Sequence, residues 1–196
     1  AKDLSGVVKL IEGPLDLAAG RTALLLSNCG EKTLADVLRY TPLPEAQLRS
    51  LGTQLLDVVV GLDAAGITHR DIKPANLGLY RPEGKRATDS ELALFDFSLS
   101  RVPVDNLAAG TPPYRDPFLG EGLRTTYDSA AERYSAAVVL FEMATNATPV
   151  YGDVDSSPTV LSDDVSLAPS DFTANGISGG RAQALGRCRR SGTALA

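Results

Sequence analysis

The sequence predicts an α+β fold that is mostly helical. Two long segments carry apolar residues at helical spacing, 45–65 and 128–145. Four short apolar runs are typical of strands, and they stand at 7–11, 22–27, 77–80 and 92–97. The chain has 196 residues, which is enough for one domain with a sizeable core.

The first two runs predict a pair of short strands near the start of the chain. The sequence is VVKLI at 7–11 and TALLLS at 22–27. Between them, residues 13–20 include a Gly-Pro pair, which is typical of a turn. We therefore expect two strands separated by a turn region at 13–20.

The helical segments have recognisable ends. Thr33 predicts the N-cap of a short helix, because its hydroxyl can accept a hydrogen bond from a free backbone amide. The clearest helix spans 45–65, where apolar residues recur every three or four positions: Leu48, Leu51, Leu55, Val58, Val59 and Leu62. Gly66 ends it, since glycine adopts the left-handed conformation at little cost. The helix at 128–145 is apolar on most faces, which predicts a central place in the core.

The remaining apolar runs surround loops. Residues 77–80 and 92–97 flank the polar stretch RPEGKRATDSE, a pattern that predicts a β-hairpin with a long connection. The Gly/Pro-rich segment at 108–122 predicts irregular structure.

Composition excludes several function classes. The formal net charge of -5 disfavours a general nucleic-acid binder, which would carry a basic face. The single histidine, His69, argues against a zinc site of several His and Cys, and Cys29 and Cys188 do not suggest a disulfide framework. The sequence has neither an apolar run long enough to span a membrane nor a signal-peptide pattern. We expect a cytoplasmic protein with no membrane partner and no direct nucleic-acid partner.

The stretch ITHRDIKPANL at 67–77 carries five chemically specific residues: His69, Arg70, Asp71, Lys73 and Asn76. It resembles the catalytic loop of protein kinases. The resemblance implies that Asp71 accepts the proton of the attacking hydroxyl, that Lys73 stabilises the moving phosphate and that Asn76 binds magnesium. Lys73, two residues after Asp71, further implies specificity for serine and threonine.

A second element, Asp96-Phe97-Ser98, is similar to the magnesium-binding D-F-G element of that family. It implies that Asp96 holds magnesium that bridges the ATP phosphates. Ser98 stands where the family has glycine, so we expect this segment to flip less easily. A D-F pair on an apolar strand more often belongs to the core, but its distance from the catalytic loop favours the metal-binding interpretation.

Two later segments follow in family order. GTPPYRDPF at 110–118 is similar to the end of a kinase activation segment, although Phe118 replaces the glutamate of a buried ion pair. The resemblance implies that Thr111 forms hydrogen bonds near Asp71 and Lys73 to arrange the site. Alone, this segment would be a Gly/Pro turn without function.

The helix ERYSAAVVLFEM at 132–143 resembles the family helix whose leading acid anchors the catalytic loop, the role implied for Glu132. Arg70, also a candidate catalytic residue, is expected to pair with a phosphate or an acid on the activation segment. Ser100 and Asp105 are the candidate partners, and the sequence does not choose between them.

The resemblance covers residues 7–152 and implies a protein-kinase-like fold, with a mostly helical large lobe and the last strands of the small lobe. ATP would bind at the hinge between the lobes. Leu26 would guard the back of the pocket, and Ser27, Asn28 and Cys29 would contact adenine. The expected domains are 1–28 for the end of the small lobe and the hinge, 29–152 for the large lobe, and 153–196 for an incomplete remainder of the large lobe with an irregular basic tail.

Several family features are not found in the sequence. It has no glycine-rich G-x-G-x-x-G loop, and Lys2 and Lys9 come too late in the order to replace the ATP-binding strand lysine. The chain starts at Ala1 and its only methionine is Met143, so we expect it to lack the start of its reading frame. Residues from about 175 lose acids and apolar periodicity, and we expect a non-native or frameshifted ending there.

These observations predict a protein serine/threonine kinase that uses ATP and Mg²⁺ and acts on protein hydroxyls. As an isolated fragment the chain is expected to be inactive. The local sequence looks like the bacterial kinases of phage growth limitation and BREX-type phage-defence systems, which implies a larger multidomain parent. The alternative is a pseudokinase-like binding or scaffolding module.

Overall fold

The computed structural model describes residues 4–86, 89–120 and 124–149. It contains five strands in the described part of the chain: β1 Leu10–Leu17, β2 Arg21–Leu26, β3 Lys32–Thr33, β4 Leu77–Tyr80 and β5 Glu91–Leu94. Its α-helices are α1 Leu34–Leu38, α2 Glu45–Ala65 and α3 Ser129–Thr145. The predicted domain at 153–196 and the unusual ending from about 175 lie outside the described residues.

Strands β1 and β2 form an antiparallel ribbon that differs from the prediction in its first strand. β1 begins at Leu10 and continues through Gly13 and Pro14, so the turn is limited to the 3₁₀ helix Ala18–Gly20. The register of β1 shifts on either side of Glu12, and the second shift contains Gly13 and Pro14. The strand therefore stays paired with β2 beyond them. The predicted turn at 13–20 was therefore wrong in its first half.

The second sheet has the order β3-β4-β5 and contains the predicted hairpin. The second run of this hairpin ends at Leu94 rather than at residue 97, because Phe97 begins a 3₁₀ helix, Phe97–Leu99. Residues before β1 pair with the free side of this strand: Leu94 donates its N–H to Gly6, and Val8 donates to Leu94. These bonds join the ribbon to the helical part of the molecule.

Helix α2 confirms the strongest sequence prediction. Its apolar stripe is buried, and Gly66 ends it in the left-handed conformation with φ 66°. Helix α2 also contacts the sheet through a polar side chain. The Gln54 side chain donates to the Ser90 carbonyl and accepts from the Leu92 amide. This amide group fixes the start of β5 against the helix.

Helix α3 is buried on most faces, as its composition predicted. Asp128 caps its first turn by accepting a hydrogen bond from the Ala131 amide. The predicted cap of α1 is also present, because Thr33 accepts a hydrogen bond from the Asp36 amide and Asp36 accepts one from the Thr33 amide. Both helices therefore begin where their sequences predict.

Helices α2 and α3 pack together and enclose one apolar core with β4 and β5. Leu55, Leu77, Leu94 and Met143 are fully enclosed in it. Within the described ranges, no helix is long and apolar enough to span a bilayer. The loops that follow α2 and β5 lie at one edge of this core, and they carry the polar residues singled out by the sequence.

Candidate active site

The loop after α2 is held from below by an acid on α3. One carboxylate oxygen of Glu132, Oε1, accepts hydrogen bonds from the His69 and Arg70 amides at 2.8 and 2.7 Å. Glu132 is 3% exposed, so both bonds are shielded from water. Arg70 has φ 72°, a left-handed conformation directly before Asp71. The anchoring contact implied for Glu132 is therefore present.

Asp71 accepts hydrogen bonds on both carboxylate oxygens. Oδ1 accepts from the Thr111 hydroxyl at 2.7 Å and from the Thr111 amide at 3.0 Å. Oδ2 lies 2.6 Å from the Lys73 ammonium and accepts from the Asn76 amide group at 3.1 Å. The Lys73 ammonium also donates to the Thr111 hydroxyl at 2.8 Å, which closes a ring of three side chains. Four of the predicted site residues thus meet at one carboxylate.

These contacts keep Asp71 ionised. Burial alone would raise the pKa of this carboxyl, but the Lys73 ammonium and the Thr111 hydroxyl and amide outweigh it and hold the pKa below its usual value. An ionised carboxylate near neutral pH is able to accept a proton from a nearby hydroxyl.

His69 connects the loop after α2 to the segment after β5. Its Nε2 lies 2.9 Å from the Phe95 carbonyl, and its Nδ1 accepts from the Asp71 amide at 3.2 Å. This pattern requires a neutral ring with the proton on Nε2. The ring also meets the Phe97 ring edge-on, with 4.6 Å between the ring centres. Burial lowers the pKa of His69 and favours this neutral form.

Replacement of His69 with glutamine is expected to remove a pH dependence from folding stability. Because the folded pKa is lowered, His69 stabilises the fold above pH 6.5, and this contribution is lost as the pH falls through the lowered pKa. On acidification the wild type should lose free energy of unfolding relative to His69→Gln. The loss is about 1.4 kcal/mol for each unit by which folding lowers the pKa of His69. Denaturant titrations at several pH values measure this difference.

The chain offers a clean comparison, since it has no other histidine. Carboxyl groups that titrate in the same range are common to both proteins and cancel in the difference. A gap between the two proteins that stays constant from pH 7 to pH 5 would contradict the prediction.

Asn76 and Asp96 lie on either side of the open end of the β4–β5 hairpin. The Phe95 amide donates to the Asn76 carbonyl at 3.1 Å, which puts Asp96 one residue beyond that bond. The Asn76 side chain is 5% exposed, whereas Asp96 is exposed. One amide oxygen and one carboxylate suit Mg²⁺, which takes few protein oxygens and keeps waters or phosphate oxygens as its other ligands. The described residues contain no cluster of three or more His, Cys, Asp or Glu.

The four predicted hinge residues connect β2 to the segment before β3. Leu26 ends β2 and is 45% exposed. Ser27 pairs with the backbone of Lys9 through its amide and its hydroxyl, at 2.8 and 2.9 Å. Asn28 accepts a hydrogen bond from the Gly30 amide at 2.8 Å through its side chain. Ser27 and Asn28 therefore follow directly on the ribbon that Leu26 ends.

The backbone of Cys29 packs closely on Gly78. A Cβ atom at this glycine would lie 2.3 Å from the Cys29 carbonyl oxygen, so only glycine permits the approach. Gly78 is two residues from Asn76, a separation of about 7 Å along a strand. Cys29 therefore packs on the strand that begins directly after Asn76.

The model of the protein kinase domain family matches residues 5–169 of the chain. The chain belongs to the protein kinase family. The match extends further toward the C-terminus than the resemblance noted in the sequence, and it confirms the protein-kinase-like α+β fold.

Named relatives agree with this assignment. The kinase domain is 40% identical over 171 residues to the probable kinase PglW of Streptomyces coelicolor, covering 76% of this chain and 11% of the relative. It is 37% identical to the putative cyclin-dependent kinase F-2 of Oryza sativa, covering 56% and 32%. The Caenorhabditis elegans serine/threonine-protein kinase unc-51 is 29% identical, with 76% and 17% covered. The chain thus spans between about a tenth and a third of these relatives.

Among solved structures, the yeast RNA Pol II CTD kinase CTDK-1 complex matches with a TM-score of 0.60. The match covers 79% of this chain and 49% of that chain, at 22% sequence identity. This likeness supports the fold alone.

Arg70 of the kinase domain is placed differently from the expectation. In the described part of the chain, neither Ser100 nor Asp105 bonds to its guanidinium, which donates instead to main-chain carbonyls. The Ser100 hydroxyl donates to the Phe97 carbonyl at 2.7 Å. Sequence reasoning considered only charged partners and so missed this arrangement.

A buried ion pair is present in the activation segment although the family glutamate is replaced by Phe118. Asp116, two residues earlier, is 5% exposed and lies 2.8 Å from Arg124. Arg124 also pairs with Asp128 at 2.8 Å. No spacing rule applies to charges eight positions apart in irregular chain, so the sequence offers no signal for this pair.

The kinase domain also links its activation segment to α3 through Tyr114. The hydroxyl of Tyr114 donates to Glu142 at 2.7 Å, and Ser135 donates to the Tyr114 carbonyl at 2.8 Å. Neither contact was predicted from the sequence, because both join segments more than twenty positions apart. They fix the segment that follows Thr111.

Ser98 causes no backbone strain in this conformation. Asp96 has a positive φ of 66°, whereas the φ of Ser98 is negative. The left-handed residue is thus Asp96, whose carboxylate accepts a hydrogen bond from the Ser98 amide at 3.3 Å. Glycine is not required at position 98 for this arrangement.

Replacement of Ser98 with glycine is expected to lower the free energy of unfolding by about 0.4–1 kcal/mol, because glycine gains freedom in the unfolded chain. Ser98→Ala is the matched control, since it keeps the backbone preference and should stay near the wild type. Thermal or denaturant unfolding measures both. Equal losses in the two variants would contradict this account.

Proposed function

We propose that this domain catalyses transfer of the ATP γ-phosphoryl group to serine or threonine hydroxyls of proteins. The observation that carries the proposal is the Asp71 carboxylate, held at once by Lys73, Asn76 and Thr111. Such a set suits phosphoryl transfer, which depends on positioning and electrostatics rather than on a covalent protein intermediate.

Asp71 would act as the base. Its low pKa keeps it ionised, and its carboxylate would accept the proton of the substrate hydroxyl as that oxygen attacks. Lys73 would place positive charge beside the transferred group while remaining bonded to Asp71 and Thr111. Thr111 would hold both groups at a fixed separation.

Asn76 and Asp96 would hold magnesium, and MgATP would supply the γ-phosphoryl group. The oxygen atoms of these two side chains suit this cation. Leu26, Ser27, Asn28 and Cys29 would contact the adenine, because they run from the end of the ribbon to Cys29, which packs on Gly78 of β4. Arg70 would support the loop from inside the fold rather than contact the substrate.

We further propose that the domain is part of a larger multidomain protein. The relative PglW is about nine times as long as the matched region, since this region covers 11% of it. A role in bacterial defence against phage follows from the sequence likeness to phage growth limitation kinases. ATP is a cytoplasmic metabolite, so the proposal places the protein in the cytoplasm. The 196-residue chain alone is proposed to be inactive.

The test is a transfer assay on the longer protein with labelled ATP, Mg²⁺ and peptides that contain only serine, only threonine or only tyrosine as acceptor. We expect labelled serine and threonine peptides and no tyrosine labelling. Equal labelling of tyrosine would contradict the proposed specificity. A thermal-shift titration of the 196-residue chain with MgATP should show little change, since only a ligand that binds the folded state raises the melting temperature.

The scaffold alternative makes a different prediction for the same assay. A pseudokinase-like module would leave every peptide unlabelled, and its folded state would still bind a protein partner. Labelled peptides therefore exclude the alternative for the longer protein.

A further inference from the structure

The guanidinium of Arg70 has a buried site of its own. The side chain takes no part in the proposed transfer step and the residue is 3% exposed. Its Nη1 donates to the carbonyls of Val102 and Pro103 at 2.6 and 2.9 Å, and its Nη2 donates to the Asn106 carbonyl at 2.5 Å. Three hydrogen bonds from one cation thus hold the middle of the activation segment.

Tyr127 closes this site on the remaining side. The Arg70 guanidinium carbon lies 4.6 Å from the centre of the Tyr127 ring, within the range of a cation–π contact. The Tyr127 amide donates to the Val104 carbonyl at 2.8 Å, so the same residue also binds the segment directly. Tyr127 is 8% exposed and lies just before α3. The contact is therefore shielded from water.

This arrangement leaves little of Arg70 for a phosphate. An arginine carries five N–H groups, and three are used by carbonyls. A fourth, on Nε, is buried without a partner. The face of the guanidinium is covered by Tyr127. A phosphate on the segment would have to displace the carbonyls that already order it.

We propose that Tyr127 is a positioning residue that, together with Arg70, orders residues 102–106 of the activation segment without phosphorylation. The amide of Arg70 is bound to Glu132 and its neighbour is Asp71, so the ordered segment and the proposed base share one support. Any effect of this order on catalysis rests on the proposed function. The order of residues 102–106 is a property of the fold itself.

Hydrogen exchange of the phosphatase-treated 196-residue chain tests the ordering. Intact mass confirms that no phosphate remains. The reporters are amides bonded within the segment, those of Val102, Asn106 and Leu107. We expect them to be protected in the wild type and to exchange roughly five- to thirty-fold faster in Tyr127→Leu, the range that a desolvated cation–π contact supports. Tyr127→Phe keeps the ring over Arg70 and loses only the hydroxyl that bonds Glu132, so it should restore the protection.

Two controls separate this effect from loss of the fold. Tyr40 is 80% exposed, so Tyr40→Leu is a matched substitution that should leave the reporters unchanged. Core amides of α2 in the same samples report global unfolding. Arg70→Lys is a second variant: it loses the planar guanidinium, so the reporters should exchange faster in it as they do in Tyr127→Leu. Unprotected reporters in the phosphate-free wild type would overturn the proposal. Identical exchange in Tyr127→Leu and the wild type, or in Tyr127→Leu and Tyr127→Phe, would do the same.

A transfer assay on the longer protein separates the two proposals. If the phosphate-free enzyme transfers phosphate from the start of the assay, without a lag, both the proposed function and the inference are supported. Activity that appears only after phosphorylation of the segment overturns the inference and leaves the proposed function standing. Expected exchange with no transfer at all supports the ordering and rejects the proposed function.

Discussion

Replacement of Asp71 with asparagine is expected to slow phosphoryl transfer by the longer protein by about 10²–10⁴-fold, the usual contribution of a positioned base. Asparagine occupies nearly the same volume but accepts no proton from the substrate hydroxyl. The substitution also ends the ion pair with Lys73, which lies 2.6 Å away. The turnover number should fall while the affinity for MgATP changes little, because Asn76 and Asp96 remain.

The measurement is a steady-state transfer assay with peptide substrate, combined with a separate binding titration for MgATP. Asp57→Asn is the matched control, since Asp57 is exposed on α2 and away from the loop. Its activity should equal that of the wild type. A turnover number for Asp71→Asn within a few-fold of the wild type would reject Asp71 as the base.

Replacement of Glu132 with alanine is expected to lower the free energy of unfolding by about 2–6 kcal/mol, because it leaves two buried amides without an acceptor at roughly 1–3 kcal/mol each. These are the amides of His69 and Arg70. Glu132→Gln keeps an acceptor oxygen in the same place and should lose much less. Denaturant titrations of the two variants, with unchanged slope, measure the difference.

The pH dependence of the same pair gives a second check. Burial raises the pKa of Glu132, and hydrogen bonds from the Arg70 amide, the Tyr127 hydroxyl and the His69 amide oppose this only in part. A carboxyl with a raised folded pKa stabilises the fold at low pH, and this contribution is lost as the pH rises from 4.5 through the raised value. The wild type should therefore lose stability relative to Glu132→Gln over that range. A loss of stability by Glu132→Gln as large as that of Glu132→Ala would show that the amides do not depend on this acceptor.

Local patterns predicted much of the fold, because they act within a few residues. The spacing of leucines defined α2, and Thr33 and Gly66 marked helix ends that the structure contains. The first strand was placed less well, since a bulge that absorbs Gly13 and Pro14 depends on the partner strand. Pairing across strands is not encoded in one segment alone.

The candidate site divides in the same way. Asp71, Lys73 and Asn76 lie within six positions, so one motif identified them together. The contact of Arg70 with Tyr127 joins residues 57 positions apart. The other partners of the Arg70 guanidinium are main-chain carbonyls, which every residue possesses. No pattern of side-chain types could have predicted which carbonyls a buried guanidinium would select.

The chain also contains its own spectroscopic probe, because His69 is its only imidazole. The ring bonds to the Phe95 carbonyl, accepts from the Asp71 amide and faces the Phe97 ring at 4.6 Å. Its nitrogen resonances would report the tautomer, and its carbon-bound protons would sense the magnetic field of the neighbouring aromatic ring. A single pair of NMR signals would therefore follow the loop after α2 and the segment after β5 together, without any label introduced at the site.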